Sequence, residues 1–439
     1  MLRSRNIRKC SRNPSRKTGN RVLFSDATSS ETTPRKYNLD NGATLAIQET
    51  RGEDVAIVAA FPYGQVDHPY RAHLAEHLLF RDVGGPRKGD IDFQVEKLGG
   101  WYTGYTERDR MVLLLRVRRE NSKNAMKLLV RSLINTEFSQ KQLDLEKDII
   151  QGECRERVSD TMYNLGLFQE RHVLRDHPLL IPKETLRGTR EIKLDELIDE
   201  KRRFMGARNL YIGIVGSDPD RLLEDAVSTI GTLPTRGGRK HKFKPINIEG
   251  TTRTMPESRG EVTVSVLVPA AGYESDDLYS LEVLAHHLTG LSRDYETRSR
   301  FWKEIRQKRG EMYHATTFYD AFEGIGLMEF FVTGILPKNT ISVRSLIADE
   351  IDRTATRELT EQRFEEVRDN LLSVEEATLR EEAIEETAER ITLAAMYGIP
   401  NTYRGYKKEL EALDPATIQK TAQKYFGGKN FAVTTYKPA

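Results

Sequence analysis

The chain has 439 residues, 38% of them apolar and 31% charged, with a formal net charge of +2. That length calls for two or three domains with real cores, the absence of an apolar run of about 18 residues leaves no candidate membrane span, and the near-balanced charge gives no electrostatic reason to expect a nucleic-acid partner. The two cysteines, Cys10 and Cys154, are far apart, so neither a disulfide framework nor a cysteine-based zinc site is available.

Residues 1–35 form a basic tail in which Arg3, Arg5, Arg8, Lys9, Arg12, Arg16, Lys17, Arg21 and Arg35 face only Asp26 and Glu31. No apolar signal-peptide core follows, so secretion by that route is not expected. A disordered tail on a cytoplasmic protein is the first expectation. The same composition also suits a transit peptide for a mitochondrial or other organellar matrix.

Past Pro34 the pattern becomes globular. Leu45–Ile47 and Val55–Ala60 read as strands, the second as a buried run. Pro69 suits a helix's first turn, and the stretch through Phe80 has helical spacing, with Leu74 and Leu78 four apart. Asp90–Leu98 reads as a helix stopped by Gly99-Gly100. Met111–Val117 reads as a strand, and helices follow from Ser122 and from Ser139, where Gln142 completes capping-box spacing. Asn209–Val215 is expected to be a strand and Asp218–Ile230 a helix. Residues 236–260 are turn-rich and charged, and read as a linker.

Beyond the linker the opening repeats. The run from Val262 has the character of Val55–Pro62, and Leu284-Ala-His-His-Leu288 falls where the first half has Leu74-Ala-Glu-His-Leu78. The chain therefore divides into a tail (1–35), a first half (36–235), the linker (236–260) and a related second half (261–439).

The chemistry is concentrated in His73-Leu-Ala-Glu76-His77. On a helix, residues four apart share a face, so both imidazoles can grip one metal, with Glu76 at the edge of that face. Nitrogen donors of this kind suit zinc. A catalytic zinc needs a third protein ligand and an open position. Glu146 and Glu153 lie two helical turns apart in the helix after Ser139, and Glu153 is the expected third ligand. Glu146 is then an acid close by that orients a ligand or substrate. The second half is an internal control: Val283, His286, Val367 and Val374 stand at the positions matching His73, Glu76, Glu146 and Glu153, and only His287 matches His77. The metal site is therefore expected in the first half alone.

With these residues the chain resembles the M16 family of zinc metallopeptidases, from about residue 36 to the end. His73–Phe80 resembles the family's zinc helix, Glu146–Glu153 the helix of its third ligand, and Leu98–Thr106 the approach to its substrate-binding edge strand. The resemblance implies an α+β fold of two homologous halves. Each is an antiparallel sheet with helices packed on one face, and the halves close around a chamber. It implies that one zinc per chain is held by His73, His77 and Glu153, with Glu76 as general base. Thr103, Gly104 and Tyr105 would then meet substrate, although members commonly carry Asn-Ala where this chain has Thr103-Gly104. Arg306 and Tyr313 match an arginine and tyrosine that reach the substrate backbone. Peptide substrates and pairing of chains are implied, as a homodimer or with a homologous partner. A catalytically silent scaffold subunit is the rival reading.

Overall fold

The computed structural model describes residues 33–81, 90–134, 138–159, 161–175, 177–180, 186–238, 241–246, 248, 252–257, 261–290 and 299–438. Most of the basic tail, residues 1–32, lies outside them. The first half runs β1 (Arg35–Asn38), β2 (Thr44–Glu49), β3 (Asp54–Phe61), α1 (Pro69–Leu79), α2 (Ile91–Glu96), β4 (Trp101–Thr106), β5 (Met111–Arg118), α3 (Ser122–Ile134) and α4 (Gln140–Ser159). It continues through α5 (Thr161–Leu174), α6 (Leu186–Arg190), α7 (Leu194–Phe204), β6 (Tyr211–Gly216) and α8 (Pro219–Thr229). The second half runs β7 (Thr252–Glu257), β8 (Val262–Ala270), α9 (Leu278–Thr289), β9 (His314–Ala321), β10 (Gly326–Ile335) and α10 (Thr340–Thr356). It ends with α11 (Glu361–Glu381), α12 (Ile384–Tyr397), α13 (Tyr403–Glu411), α14 (Pro415–Phe426) and β11 (Ala432–Pro438).

Two sheets organise the molecule, in the orders β1-β2-β6-β3-β5-β4 and β7-β11-β8-β10-β9. Omitting β1, the orders correspond strand for strand. In each, one pair is parallel (β2 with β6, β7 with β11) and the other pairs are antiparallel. The sheets are therefore mixed rather than wholly antiparallel, because each half's last strand returns beside its first after a long helical crossover. The expected linker is also shorter than read: Thr252–Glu257 is β7, paired along its length with β11.

The repeat extends to details. After β3, Gly64 presses on the β4–β5 turn, where a Cβ would lie 2.4 Å from the Arg108 carbonyl oxygen. After β8, Gly272 presses on the β9–β10 turn, 2.3 Å from the Ile325 nitrogen. The next residue in each case donates its backbone N–H to that turn, Gln65 to Glu107 and Tyr273 to Phe322.

β3 from Val55 onward and all of β8 are buried because both sheet faces are covered; the apolar run Val55–Phe61 follows from that, and β8 carries Thr263 and Ser265 among its apolar residues. Each half's own helices cover one face. The opposite face of the first sheet is covered by α12 of the second half, where Ala388 and Ile391 pack with Ala56, Val58, Ala60 and Val215. Gly213 in β6 permits this approach: a Cβ there would lie 2.3 Å from the Ala388 carbonyl oxygen. In exchange, the first half covers part of the second sheet. Leu174 and Leu179 pack with Leu267 and Leu327, and Tyr436 donates its hydroxyl to the Leu165 carbonyl at 2.7 Å. Helices thus lie on both faces of each sheet, a departure from the single-faced packing expected. No helix among the described residues is long and apolar enough to cross a membrane.

Candidate metal centre

α1 begins where its sequence says it should. Pro69 occupies the first turn, and the His68 imidazole accepts the Arg71 backbone N–H at 3.3 Å. Ala72, Leu74, Ala75, Leu78 and Leu79 are buried in the first-half core and hold the helix against the sheet. This leaves His73, Glu76 and His77 toward α4 and the end of β4. α4 opens with the expected capping box: Ser139 Oγ accepts the Gln142 N–H at 3.2 Å, and the Gln142 side chain accepts the Ser139 N–H at 2.9 Å. Leu143 and Ile150 anchor α4 in the same core, so Glu146 and Glu153, two turns apart, both face α1.

The three expected ligands come together. His73 Nε2 lies 3.3 Å from His77 Nε2 and 3.3 Å from Glu153 Oε2, and His77 Nε2 lies 3.7 Å from Glu153 Oε1. Among the described residues these three alone form a group of His, Cys, Asp or Glu able to hold a metal ion. Ligands about 2.0–2.1 Å from a tetrahedral zinc stand roughly 3.3 Å apart, so the donor set fits that ion and leaves a fourth corner open. His77 Nδ1 lies 2.9 Å from Glu146 Oε2. A carboxylate can only accept, so Nδ1 carries the proton and Nε2 turns its lone pair to the cluster. Burial pulls the His77 pKa down. The Glu146 hydrogen bond and the charges of Glu76 and Glu153 more than offset it, and the pKa is raised.

Glu76 is buried, and its Oε2 accepts a 2.7 Å hydrogen bond from Thr106 Oγ1 at the end of β4. Residues that sequence reasoning gave no role complete the surroundings. Arg81, one turn after His77, donates from Nε and Nη2 to Glu146 Oε1 and from Nη1 to Asp90. Its i, i+4 spacing from His77 is the only linear signal of that role.

β4 is an edge strand, with no neighbour beyond it among the described residues. The strand ends at Thr106, because Glu107–Arg110 turns back, with the Glu107 N–H bonded to the Arg110 carbonyl. Alternation splits β4 between two faces. Tyr102 packs against Phe80 with the rings tilted, Gly104 abuts Phe80, and Thr106 reaches Glu76, so these three face α1. Tyr105 points the other way and donates to Glu389 Oε1 of α12 at 2.9 Å. Thr103 is exposed on Tyr105's face. Gly104 has a steric reason: a Cβ would lie 2.9 Å from Leu113 Cδ2 and 3.1 Å from the Phe80 ring.

Arg306 and Tyr313 are brought together, with the guanidinium 5.2 Å from the Tyr313 ring centre and 5.3 Å from that of Trp302. Arg306 Nη1 also donates to the Met312 carbonyl at 2.8 Å, so these contacts tie the pair to the second half rather than to the metal cluster. Tyr313 is half exposed. His286 and His287, the second-half counterparts, are buried. Burial first, and the Arg363 charge second, lower their pKa to about 4 and about 3, and His287 Nδ1 accepts from Arg363 Nε. They are neutral core residues.

Comparison with known proteins places the chain by family and by fold. The family description "Insulinase (Peptidase family M16)" matches residues 67–174, and "Peptidase M16 inactive domain" matches residues 191–371. An "uncharacterized zinc protease" of Rickettsia bellii is 22% identical over 314 residues, covering 70% of this chain and 74% of that protein. The mitochondrial-processing peptidase subunit beta of Saccharomyces cerevisiae is 25% identical over 235 residues, covering 51% of this chain and 50% of that protein. The crystal structure of a protease from Helicobacter pylori superposes with a TM-score of 0.80 at 14% identity, covering 93% of this chain and all of that one.

Proposed function

The chain belongs to the M16 peptidase family, and from that premise we propose that it is a zinc-dependent endopeptidase acting on short or unfolded peptides. The observation that carries this is the His73–His77–Glu153 donor set, with Glu76 on the same helix beside an open sheet edge. Zinc held by those three residues would act as a Lewis acid toward the scissile carbonyl and lower the pKa of a bound water to about 7. Glu76, oriented by Thr106, accepts the water's proton and passes it to the leaving amine. Glu146 holds His77 in the tautomer that presents Nε2, and Arg81 holds Glu146.

The peptide adds to the outer edge of β4 as a further strand. Its backbone supplies the hydrogen bonds, so side-chain identity matters little and the substrate must be extended. Gly104 keeps that edge close to the zinc helix. Arg306 and Tyr313 donate hydrogen bonds to the carbonyl oxygen as it gains charge. A second copy of the chain is proposed to present them, which would make the active unit a homodimer.

The test combines zinc content with cleavage of a quenched fluorescent peptide for wild type and Glu76→Gln. The expected result is about one zinc per chain in both and a loss of roughly 10²–10⁴-fold in kcat for the variant. Wild type that binds no zinc would overturn the ligand assignment. Wild type that binds zinc but cuts only after a homologous subunit is added would replace the homodimer with a heterodimer, the arrangement suggested by the name of the yeast relative.

A further inference from the structure

Between the halves lies a cavity of about 310 Å³, the size of a small-ligand site. β4 and the turn after it form one wall, and α9, β9, α11, α12 and α13 supply much of the rest. It lies on the opposite face of the first sheet from the metal cluster: Tyr105 reaches it, while the next residue, Thr106, turns back to Glu76.

Two features of the lining stand out chemically. Five tyrosines contribute, Tyr105, Tyr273, Tyr279, Tyr319 and Tyr406. Five carboxylates contribute as well, Glu107, Glu282, Asp320, Glu375 and Glu389. Each of the three arginines of the lining has an ion-pair partner outside it, although Arg108 and Arg110 also bear on Asp320. Arg108 pairs with Glu170, Arg110 with Asp109 at 3.1 Å and Arg390 with Glu382 at 3.0 Å, and none of those acids lines the cavity. Five acids against three arginines give the lining a net negative formal charge.

Tyrosine hydroxyls bond two of the acids, Tyr105 to Glu389 and Tyr406 to Glu282, which satisfies an oxygen without neutralising its charge. Among the described residues, the carboxylates of Asp320 and Glu375 and the hydroxyls of Tyr273 and Tyr279 make no hydrogen bond. Asp320 is exposed where it lines the cavity, with protein on the other sides of its carboxylate. Burial, aided by Glu107 and Glu170 against Arg108 and Arg110, pushes its pKa up.

Aromatic rings with carboxylates around one small space make a receptor for a desolvated cation: the ring faces attract it and the acids neutralise it. We propose that this cavity binds an organic cation, a guanidinium or protonated amine on an aliphatic stem, independently of the metal site. The cation is either a free small molecule or a basic side chain of a bound peptide.

The experiment titrates n-butylguanidinium into the metal-free full-length protein by calorimetry, with neutral n-butylurea as its isostere. The expected result is guanidinium binding at about 1 mM or tighter and urea binding about tenfold weaker or more. Asp320→Asn with Glu375→Gln should weaken guanidinium binding by at least about tenfold. Neither side chain makes a hydrogen bond, so the double variant is expected to fold, and circular dichroism checks this. Glu376→Gln, a neighbouring charge on α11 outside the cavity, should bind as wild type does.

A peptide with a single arginine that competes, while its citrulline analogue does not, would assign the cation to substrate. Guanidinium binding without such competition would assign it to a free ligand. No binding of the guanidinium, equal binding of the urea, or unchanged affinity in the folded double variant would overturn the proposal. Because the protein carries no metal in this assay, these outcomes are separate from those for peptide cleavage.

Discussion

At the scale of single residues, the centre depends on groups that hold the ligands as much as on the ligands. Glu146 is almost wholly buried, yet its charge is answered by His77 on one oxygen and Arg81 on the other. Removing one member of such a set leaves a buried partner uncompensated. Glu146→Gln is expected to weaken zinc affinity by about 10–100-fold, read by competition with a chromogenic chelator. Unchanged affinity would show that Glu146 does not orient His77. Thr106 supplies a hydrogen bond to a charged acceptor, a bond of the stronger class. Thr106→Val should lower kcat by about tenfold while zinc content stays at the wild-type level. A fall in zinc content instead would place Thr106 in metal retention rather than in positioning Glu76.

At the scale of elements, the consequential feature is the exchange of helices between halves. α12 lies on the far face of the first sheet, and Thr392 Oγ1 reaches the Val58 carbonyl at 3.3 Å. Gly213 is a point of close approach, where a Cβ would run into the Ala388 carbonyl of α12. Gly213→Ala is expected to lower unfolding free energy by about 1–3 kcal/mol, measured by urea titration, because neither backbone can yield easily. Gly231→Ala, where a Cβ meets nothing within 4 Å and φ is not positive, should change it by less than about 0.5 kcal/mol. Equal effects at the two glycines would argue against close docking of α12.

At the scale of the whole molecule, a buried polar cluster joins the halves. His241, in the connecting segment, lies 3.0 Å from Asp67 of the first half and 3.4 Å from Glu323 of the second. Burial opposes its charge, but the two carboxylates outweigh burial and raise its pKa to about 9. A raised folded-state pKa means that the folded protein holds this proton more tightly than the unfolded chain. The stabilisation is complete below about pH 6.5 and is lost as pH rises through about 9. At about 1.4 kcal/mol per pKa unit, its size is about 3 kcal/mol. Lys201, lowered by burial to about 7, and Glu329, raised by burial to about 8, titrate in the same window, Lys201 with the opposite effect. The readout is therefore the difference in stability between wild type and His241→Gln, which should shrink between pH 6.5 and 9. A difference flat across that range would show that the proton on His241 does not bind the halves together.

Much of this could be read before any coordinates. The His73–His77 helix, the Ser139 capping box, the strands around Val55 and Met111, and the repeat beginning at Val262 all rest on local periodicity and end signals, which neighbours in sequence impose on each other. His73, Glu76 and His77 belong to the same class, since one helix face sets their spacing. Other features depend on contacts between residues far apart in the chain. Glu153 meets the two histidines only because α4 packs on α1, and Thr106 meets Glu76 only because β4 ends beside that helix. The parallel pairing of β7 with β11, the exchange of α5 and α12, and the acidic cavity between the halves left no periodic trace. The sequence by itself determined which residues could bind a metal and that the chain is built twice. Tertiary packing alone decided what surrounds those residues and how the two halves cover each other, because such contacts are set by buried surface and close approach of backbones rather than by spacing along the chain.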